Sequence, residues 1–256
     1  MGFGDFVEIM RRLREGCPWD RKQTSASLRP YLIEEAYELL EAIDSGKADA
    51  VREELGDLLL QIVFHARIAE ERGEFTMDDV VEGISQKMIS RHPHVFGDAK
   101  YETPEEVVGQ WEQRKREEGK LRDSLLSGVP HSMPALLRAQ RLQSRAAKVG
   151  FDWSRVEEVL AKVEEEMAEF REALKGGRKD EVQDELGDIF FALVNVSRFL
   201  EIDSEAALRG TIAKFIKRFR HIEMAAEAAG RSMNEMSLDE MEALWQESKK
   251  DDSAGL

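Results

Sequence analysis

Glu34-Glu35-x-x-Glu38 followed by Glu54-x-x-Asp57, and again Glu165-Glu166-x-x-Glu169 followed by Glu185-x-x-Asp188, are the stretches on which the fold and chemistry of this chain turn. Adding 131 to each acid of the first set gives the corresponding acid of the second, so the intervening segments are equal in length. Four carboxylates brought to one place repel one another unless a cation neutralises them. The pattern points to a metal site, and it occurs twice.

Residues three apart share a helix face, so Glu35 and Glu38 point the same way, as do Glu54 and Asp57. Leu28 to Asp44 and Ala48 to Arg72 read as amphipathic helices, with Ser45-Gly46-Lys47 as the break. Ala36, Leu39, Leu40 and Ile43 form the apolar stripe of the first, and Leu55, Leu58, Leu59, Ile62 and Ala66 that of the second. The acids border these stripes. Packed antiparallel through their short connection, the two helices bring the four acids to the rim of a groove. Further helices are expected over Met77 to Ser90 and Pro104 to Gly119, with His92 to Gly97 as a loop between them. The second copy repeats the plan over Val156 to Leu174, Asp180 to Leu200, Ser204 to Ala229 and Ser237 to Lys250.

The alternative is a solvated acidic helix face. Three observations weigh against it: the acids adjoin the apolar stripe, they recur at the same spacing, and few has an obvious Lys or Arg four residues on. A ligand set made only of carboxylates selects hard divalent ions, Mg²⁺ first and Mn²⁺ as a possible substitute. Cys17 and five scattered histidines make no zinc cluster. No histidine follows a Glu by three residues, which removes a di-iron bundle.

The repeat extends past the acids. Trp19 pairs with Trp153 and Trp111 with Trp245 at an offset of 134, and Lys87-x-x-x-Arg91 recurs as Lys214-x-x-x-Arg218 at an offset of 127. Trp111-x-x-x-Lys115 returns as Trp245-x-x-x-Lys249. Shifting offsets mark small insertions and deletions in loops after a duplication. Lys214, Lys217, Arg218 and Arg220 lie on one helix, and Lys87, Arg91 and Lys115 occur in the first copy. Cations recurring beside metal-binding acids suit a polyphosphate, since Mg²⁺ held by few protein oxygens keeps room for substrate phosphates. Trp111 and Trp245 are either core residues or stacking surfaces for a base.

Composition narrows the class. The chain has 256 residues, room for two domains, and is rich in helix formers. All six prolines fall at or before Pro134. With 52 acidic against 37 basic residues the formal charge is −15, which disfavours nucleic acid and anionic membranes as partners. The lone Cys17 permits no internal disulfide, and no stretch of about 18 apolar residues occurs. A cytoplasmic protein with no membrane partner is expected.

With these residues in hand, the chain resembles the MazG family, nucleoside triphosphate pyrophosphohydrolases of the all-α NTP pyrophosphatase superfamily. The double acidic motif carries the superfamily likeness. Gly16-Cys17-Pro18-Trp19-Asp20, Arg91-His92-Pro93-His94-Val95-Phe96-Gly97 and Gly150-Phe151-Asp152-Trp153 carry the likeness to the two-domain type, over nearly the entire chain. The resemblance implies an all-α fold of two tandem domains, each a four-helix-bundle-type core completed by dimerisation. Residues 1–122 would form the first domain, 123–150 a linker and connecting helix, and 151–256 the second. It also implies Mg-dependent hydrolysis of NTPs and dNTPs to monophosphate and pyrophosphate, a nucleotide-pool housecleaning activity. Glu35, Glu38, Glu54 and Asp57, and Glu166, Glu169, Glu185 and Asp188, would bind the metal. Glu34 and Glu165 would sit beside it, orienting or deprotonating water. Lys162, Lys214, Arg218 and Trp245 match positions that contact nucleotide in the family, with Lys249, Lys87, Arg91, Trp111 and Lys115 as further candidates.

The copies are unequal in their cations. Lys162, Lys217 and Arg220 of the second stand where the first has Tyr31, Ser90 and Pro93. The second domain is therefore expected to be the principal active site. A narrow enzyme for one nucleotide, such as a dUTPase-like one, and a non-enzymatic metal-binding scaffold are the competing readings.

Overall fold

The computed structural model describes residues 1–101, 103, 106–107, 110 and 124–253, and every regular element among them is a helix. Of the expected helix from Pro104 to Gly119, residues 106, 107 and 110 are described and helical, and the rest, with Trp111 and Lys115, lies outside the described residues. The chain divides into two compact units, Met1–Lys120 and Leu121–Leu256.

The first unit contains α1 (Phe3–Gly16), α2 (Pro18–Lys22), α3 (Ser25–Ser45), α4 (Ala48–Glu71), α5 (Met77–Arg91) and the single turn α6 (Pro93–Phe96). Helix α3 begins three residues before Leu28 because Thr24 and Ser27 cap it reciprocally: Thr24 Oγ1 accepts from the Ser27 N–H at 3.1 Å, and Ser27 Oγ accepts from the Thr24 N–H at 2.9 Å. It ends at Gly46, whose φ of 68° lies in the left-handed region that favours glycine. The core gathers Met10, Leu28, Val63, Phe64 and Ile68, flanked by Phe6, Val7, Leu59, Leu60 and Met77. Helix α1 thus supplies a core wall. Arg14 at its end is 9 % exposed and binds Glu71 through two hydrogen bonds while donating to the Asp20 and Gln23 carbonyls. One guanidinium ties α1, α2 and α4 together.

The second unit contains α7 (Ala135–Ala147), α8 (Val156–Gly176), α9 (Lys179–Phe199), α10 (Ser204–Ala228), a 3₁₀ turn (Met233–Glu235) and α11 (Leu238–Ser253). The sequence offset is also a structural one. Helix α8 starts and stops 131 residues after α3, and its C-cap Gly177 repeats the left-handed conformation with a φ of 71°. Helix α7, expected in the connecting stretch, packs on α9 and α10. Gln143 Nε2 donates to the Phe191 carbonyl at 2.8 Å, and Gln140 Oε1 accepts from the Ser204 N–H at 3.1 Å.

The third helices of the two copies part company. Helix α5 has 15 residues and α10 has 25. Pro93 ends the first: it has no N–H to donate, and it forces the preceding His92 out of helical geometry, to a φ of −123° and ψ of 59°. Arg220 occupies the aligned position and α10 runs on. The stretch from His92 to Gly97, expected as a loop, instead makes the turn α6.

The apolar stripes are only partly covered. Leu40, Ile43, Leu55 and Ile62, assigned to core-facing stripes from their spacing, are exposed, as are Phe190, Ile212, Phe215 and Ile216 in the second unit. Within one chain α3 and α4 find each other, and a wide apolar face has surplus surface beyond that single seam.

Candidate metal centres

The two-residue connection after α3 folds α4 back on it, which brings the first acidic set together. Carboxylate oxygens of Glu35, Glu38 and Glu54 lie within 4.8 Å of one another. Asp57 stands next to this group. Burial first, then the charges of Asp57 and Glu38, hold the Glu35 carboxyl above its ordinary range, and a hydrogen bond from Gln61 works the other way. Glu54 is raised as well, by burial and then by Glu38 and Asp57. Gln61 is buried, and its Oε1 has no hydrogen-bond partner.

The second set converges in the same way on α8 and α9. Oxygens of Glu166, Glu185 and Asp188 lie within 4.8 Å of one another. Glu166 is only 7 % exposed. Burial, then Glu169, Asp188 and Glu166, push Glu185 above the carboxylate range. Its Oε2 is buried without a hydrogen-bond partner. Glu169 stands to this group as Asp57 does to the first. A buried carboxylate oxygen left unpaired among other acids is costly, and a hard divalent cation is the partner that carboxylates of this kind satisfy. The donor set fits such an ion at both places.

The second centre carries a cation of its own. Lys162 Nζ is 2.8 Å from Glu165 Oε1 and 2.8 Å from Glu166 Oε1. Those two hydrogen bonds, Glu165 first, hold its ammonium above the ordinary lysine range, so it stays charged. At the first centre Tyr31 takes this place and meets Trp19 edge-on, with ring centroids 6.4 Å apart. Glu34 is not part of the group formed by Glu35, Glu38 and Glu54. It borders an open groove of about 720 Å³ with Ala26, Arg29, Pro30, Ile33 and Tyr37.

The remaining cationic and aromatic candidates lie on other helices. Arg218 sits over the Trp245 ring, 5.6 Å from its centroid, and Phe215 contacts the same ring at 5.3 Å. Trp245 is half-buried between α10 and α11, so it is at once packed and partly open. Lys214 is exposed on α10, and Lys249 is half-buried on α11. Lys87 is exposed on α5, whereas Arg91 is 5 % exposed at its end. Within one chain α10 packs mainly on α11 and touches α9 slightly, which leaves Lys214 and Arg218 on a different helix pair from the acids.

Gln61 was not singled out from the sequence. Its signal was a lone amide four residues after Asp57 in an otherwise apolar run, Leu58-Leu59-Leu60-Gln61-Ile62. The second copy has Ala192 there. Lys162 offered a plainer signal, three and four residues ahead of Glu165 and Glu166, the spacing of helical ion pairs.

Known proteins share this arrangement of sequence. The model of the MazG nucleotide pyrophosphohydrolase domain matches residues 23–96 and again 154–223. A Thermotoga maritima protein named nucleoside triphosphate pyrophosphohydrolase/pyrophosphatase MazG is 48 % identical over 253 residues, 98 % of this chain and 96 % of that one. The nucleoside triphosphate pyrophosphohydrolase of Escherichia coli K12 is 45 % identical over 95 % of each chain. A Bacillus subtilis relative, named only as uncharacterized protein YabN, is 50 % identical over 97 % of this chain and 52 % of its own length.

Proposed function

The chain belongs to the MazG nucleotide pyrophosphohydrolase family, carries that domain twice and is a nucleoside triphosphate pyrophosphohydrolase; we propose that it uses Mg²⁺, with Mn²⁺ as a substitute, to hydrolyse NTPs and dNTPs to monophosphate and pyrophosphate. The observation that carries the metal assignment is the buried, unpaired Glu185 Oε2 among Glu166, Glu169 and Asp188. When bound, the cation polarises phosphate oxygens and offsets the charge of the leaving pyrophosphate.

The residues of the chain would do the rest. Glu166, Glu169, Glu185 and Asp188 would hold the ion in the second domain, and Glu35, Glu38, Glu54 and Asp57 in the first. Water adds to phosphorus and the bond to the pyrophosphate oxygen breaks. Glu165, and Glu34 in the first domain, would orient the water and accept its proton. Lys162, Lys214 and Arg218 would neutralise the substrate's remaining negative charge, and Trp245 would present a face to the base. With Lys162, Lys217 and Arg220 on its side, the second domain is the better equipped for a triphosphate.

We also propose a homodimer in which each domain pairs with its counterpart. Its support is the exposed apolar surface each unit carries, on α3 and α4 in the first, where Ile33 is 58 % exposed, and on α9 and α10 in the second, where Phe215 is 55 % exposed. No described helix is long and apolar enough to cross a membrane. A cytoplasmic location rests on the nucleotide substrates and the single Cys17.

Incubation with Mg²⁺ and a panel of eight NTPs and dNTPs tests this reading. Pyrophosphate should appear from several of them. Orthophosphate alone, turnover of a single nucleotide, or activity surviving Glu35→Ala combined with Glu166→Ala would each reject it.

A further inference from the structure

Two metal centres built from the same acids differ in the cation that touches a ligand carboxylate. Lys162 Nζ approaches Glu166 Oε1 to 2.8 Å and Glu165 Oε1 to 2.8 Å. Glu166 is buried and belongs to the group of oxygens that would surround the ion. The first centre has Tyr31 in this position, turned to Trp19. Among the described residues no Lys or Arg pairs with Glu35, Glu38 or Glu54.

We propose that Lys162 is a resident competitor for Glu166: without nucleotide it holds that carboxylate and weakens divalent-cation binding at the second centre, and with nucleotide it transfers to the polyphosphate, so that cation and nucleotide bind there as a coupled pair. The first centre, with Tyr31 in place of this lysine, takes up its cation without displacing such an ammonium, so nucleotide raises its cation affinity less. This inference rests on the metal and nucleotide assignments made above.

Three physical facts carry it. An ammonium has three donors and no acceptor, so every partner it takes is an anion or a lone pair, and a polyphosphate offers more of these than two glutamates do. A divalent ion drawing on the same Glu166 oxygen repels the ammonium and must displace two charge-assisted hydrogen bonds. The Lys162 side chain is 36 % exposed on a flexible four-carbon stem, so its head can leave without disturbing the core. Linkage then requires reciprocity: the factor by which nucleotide raises cation affinity is the factor by which cation raises nucleotide affinity.

The test uses the full chain and Mn²⁺ as probe, with free Mn²⁺ followed by electron paramagnetic resonance. Glu35→Gln with Glu54→Gln silences the first centre, and Lys162→Met is then added. Without nucleotide, Lys162→Met should tighten Mn²⁺ binding roughly threefold to tenfold, the range for one or two partly exposed ion pairs. An α,β-methylene triphosphate, which cannot be cut at that bond, should raise Mn²⁺ affinity in the parent and much less in Lys162→Met. Conversely, Tyr31→Lys placed in a chain whose second centre is silenced by Glu166→Gln and Glu185→Gln should weaken Mn²⁺ binding at the first centre. Unchanged or weaker Mn²⁺ binding by a Lys162→Met chain of native circular dichroism overturns this inference alone. A parent that binds no Mn²⁺ at the second centre overturns the metal assignment with it.

Discussion

Glu185, proposed above as a metal ligand, is a carboxylate whose surroundings oppose its charge in the metal-free chain. Its folded carboxyl is raised by burial and by Glu169, Asp188 and Glu166, so the folded chain binds that proton more tightly than the unfolded chain does. Stability is therefore lost as pH rises from the ordinary carboxylate value through the raised one, and the deficit persists at neutral pH. Metal-free Glu185→Gln is expected to melt above the metal-free parent at pH 7. The gap should close as pH falls below about 4, where both side chains are neutral in both states. Added Mn²⁺ should raise the melting temperature of the parent and reverse the order, while pyrophosphate release by the second domain falls by at least about 100-fold. A variant that melts below the parent in chelator counts against the strained carboxylate. At this scale the acids were legible because a helix converts spacing into a shared face. What spacing does not carry is the other helix's contribution: Gln61 reaches Glu35 across the α3–α4 seam, and nothing in the repeat announces it, since Ala192 replaces it in the second copy.

At the level of elements, one proline decides a helix length and one missed helix supplies a core. Phe6, Val7 and Met10 fall at helical spacing, so the amphipathic character of α1 was present in the sequence. Its docking against α4 is a long-range fact and was not. Met10 is 1 % exposed, and Met10→Ala should cost about 2–5 kcal/mol in urea unfolding of the first unit, as for other large-to-small changes in a closed core. A loss under about 1 kcal/mol would mean that α1 is dispensable. The contrast of α5 with α10 makes the reverse case. Arg220→Pro transfers the break at Pro93 into α10 and should cost roughly 3 kcal/mol or more, the penalty of an interior proline. Circular dichroism should show lost helix, and the nucleotide affinity of the second domain should fall, because Lys214 and Arg218 lie on the turns just before the break. Retained helicity with retained affinity would show that α10 needs no continuity there. The stop at Gly46 and Gly177 was readable from sequence, because a left-handed cap calls for glycine.

For the whole molecule, the surplus apolar surface has to be reconciled with a net charge of −15. Like charge keeps chains apart at long range, so an association strong enough to overcome it must bury side chains such as Ile212, Ile216, Phe190 and Ile43. This surplus also explains why the stripes read from the sequence did not become core within one chain. Periodicity tells which face is apolar, and it does not tell whether the cover comes from the same chain. In a two-fold dimer a single substitution enters the interface twice. Burying one isoleucine is worth about 1.5–3 kcal/mol, so Ile216→Glu should weaken dimerisation by about 3–6 kcal/mol, a rise of roughly 10²–10⁴ in the dissociation constant. Sedimentation velocity over a concentration series should show the wild-type chain as a dimer and Ile216→Glu moving toward monomer. Because α10 also carries Lys214 and Arg218, while the acids sit on α8 and α9, the variant's activity should fall with dilution in step with its dimer fraction. A wild-type chain that is monomeric at micromolar concentration and fully active would break that link, and the cations of α10 would then have to reach the acids within a single chain.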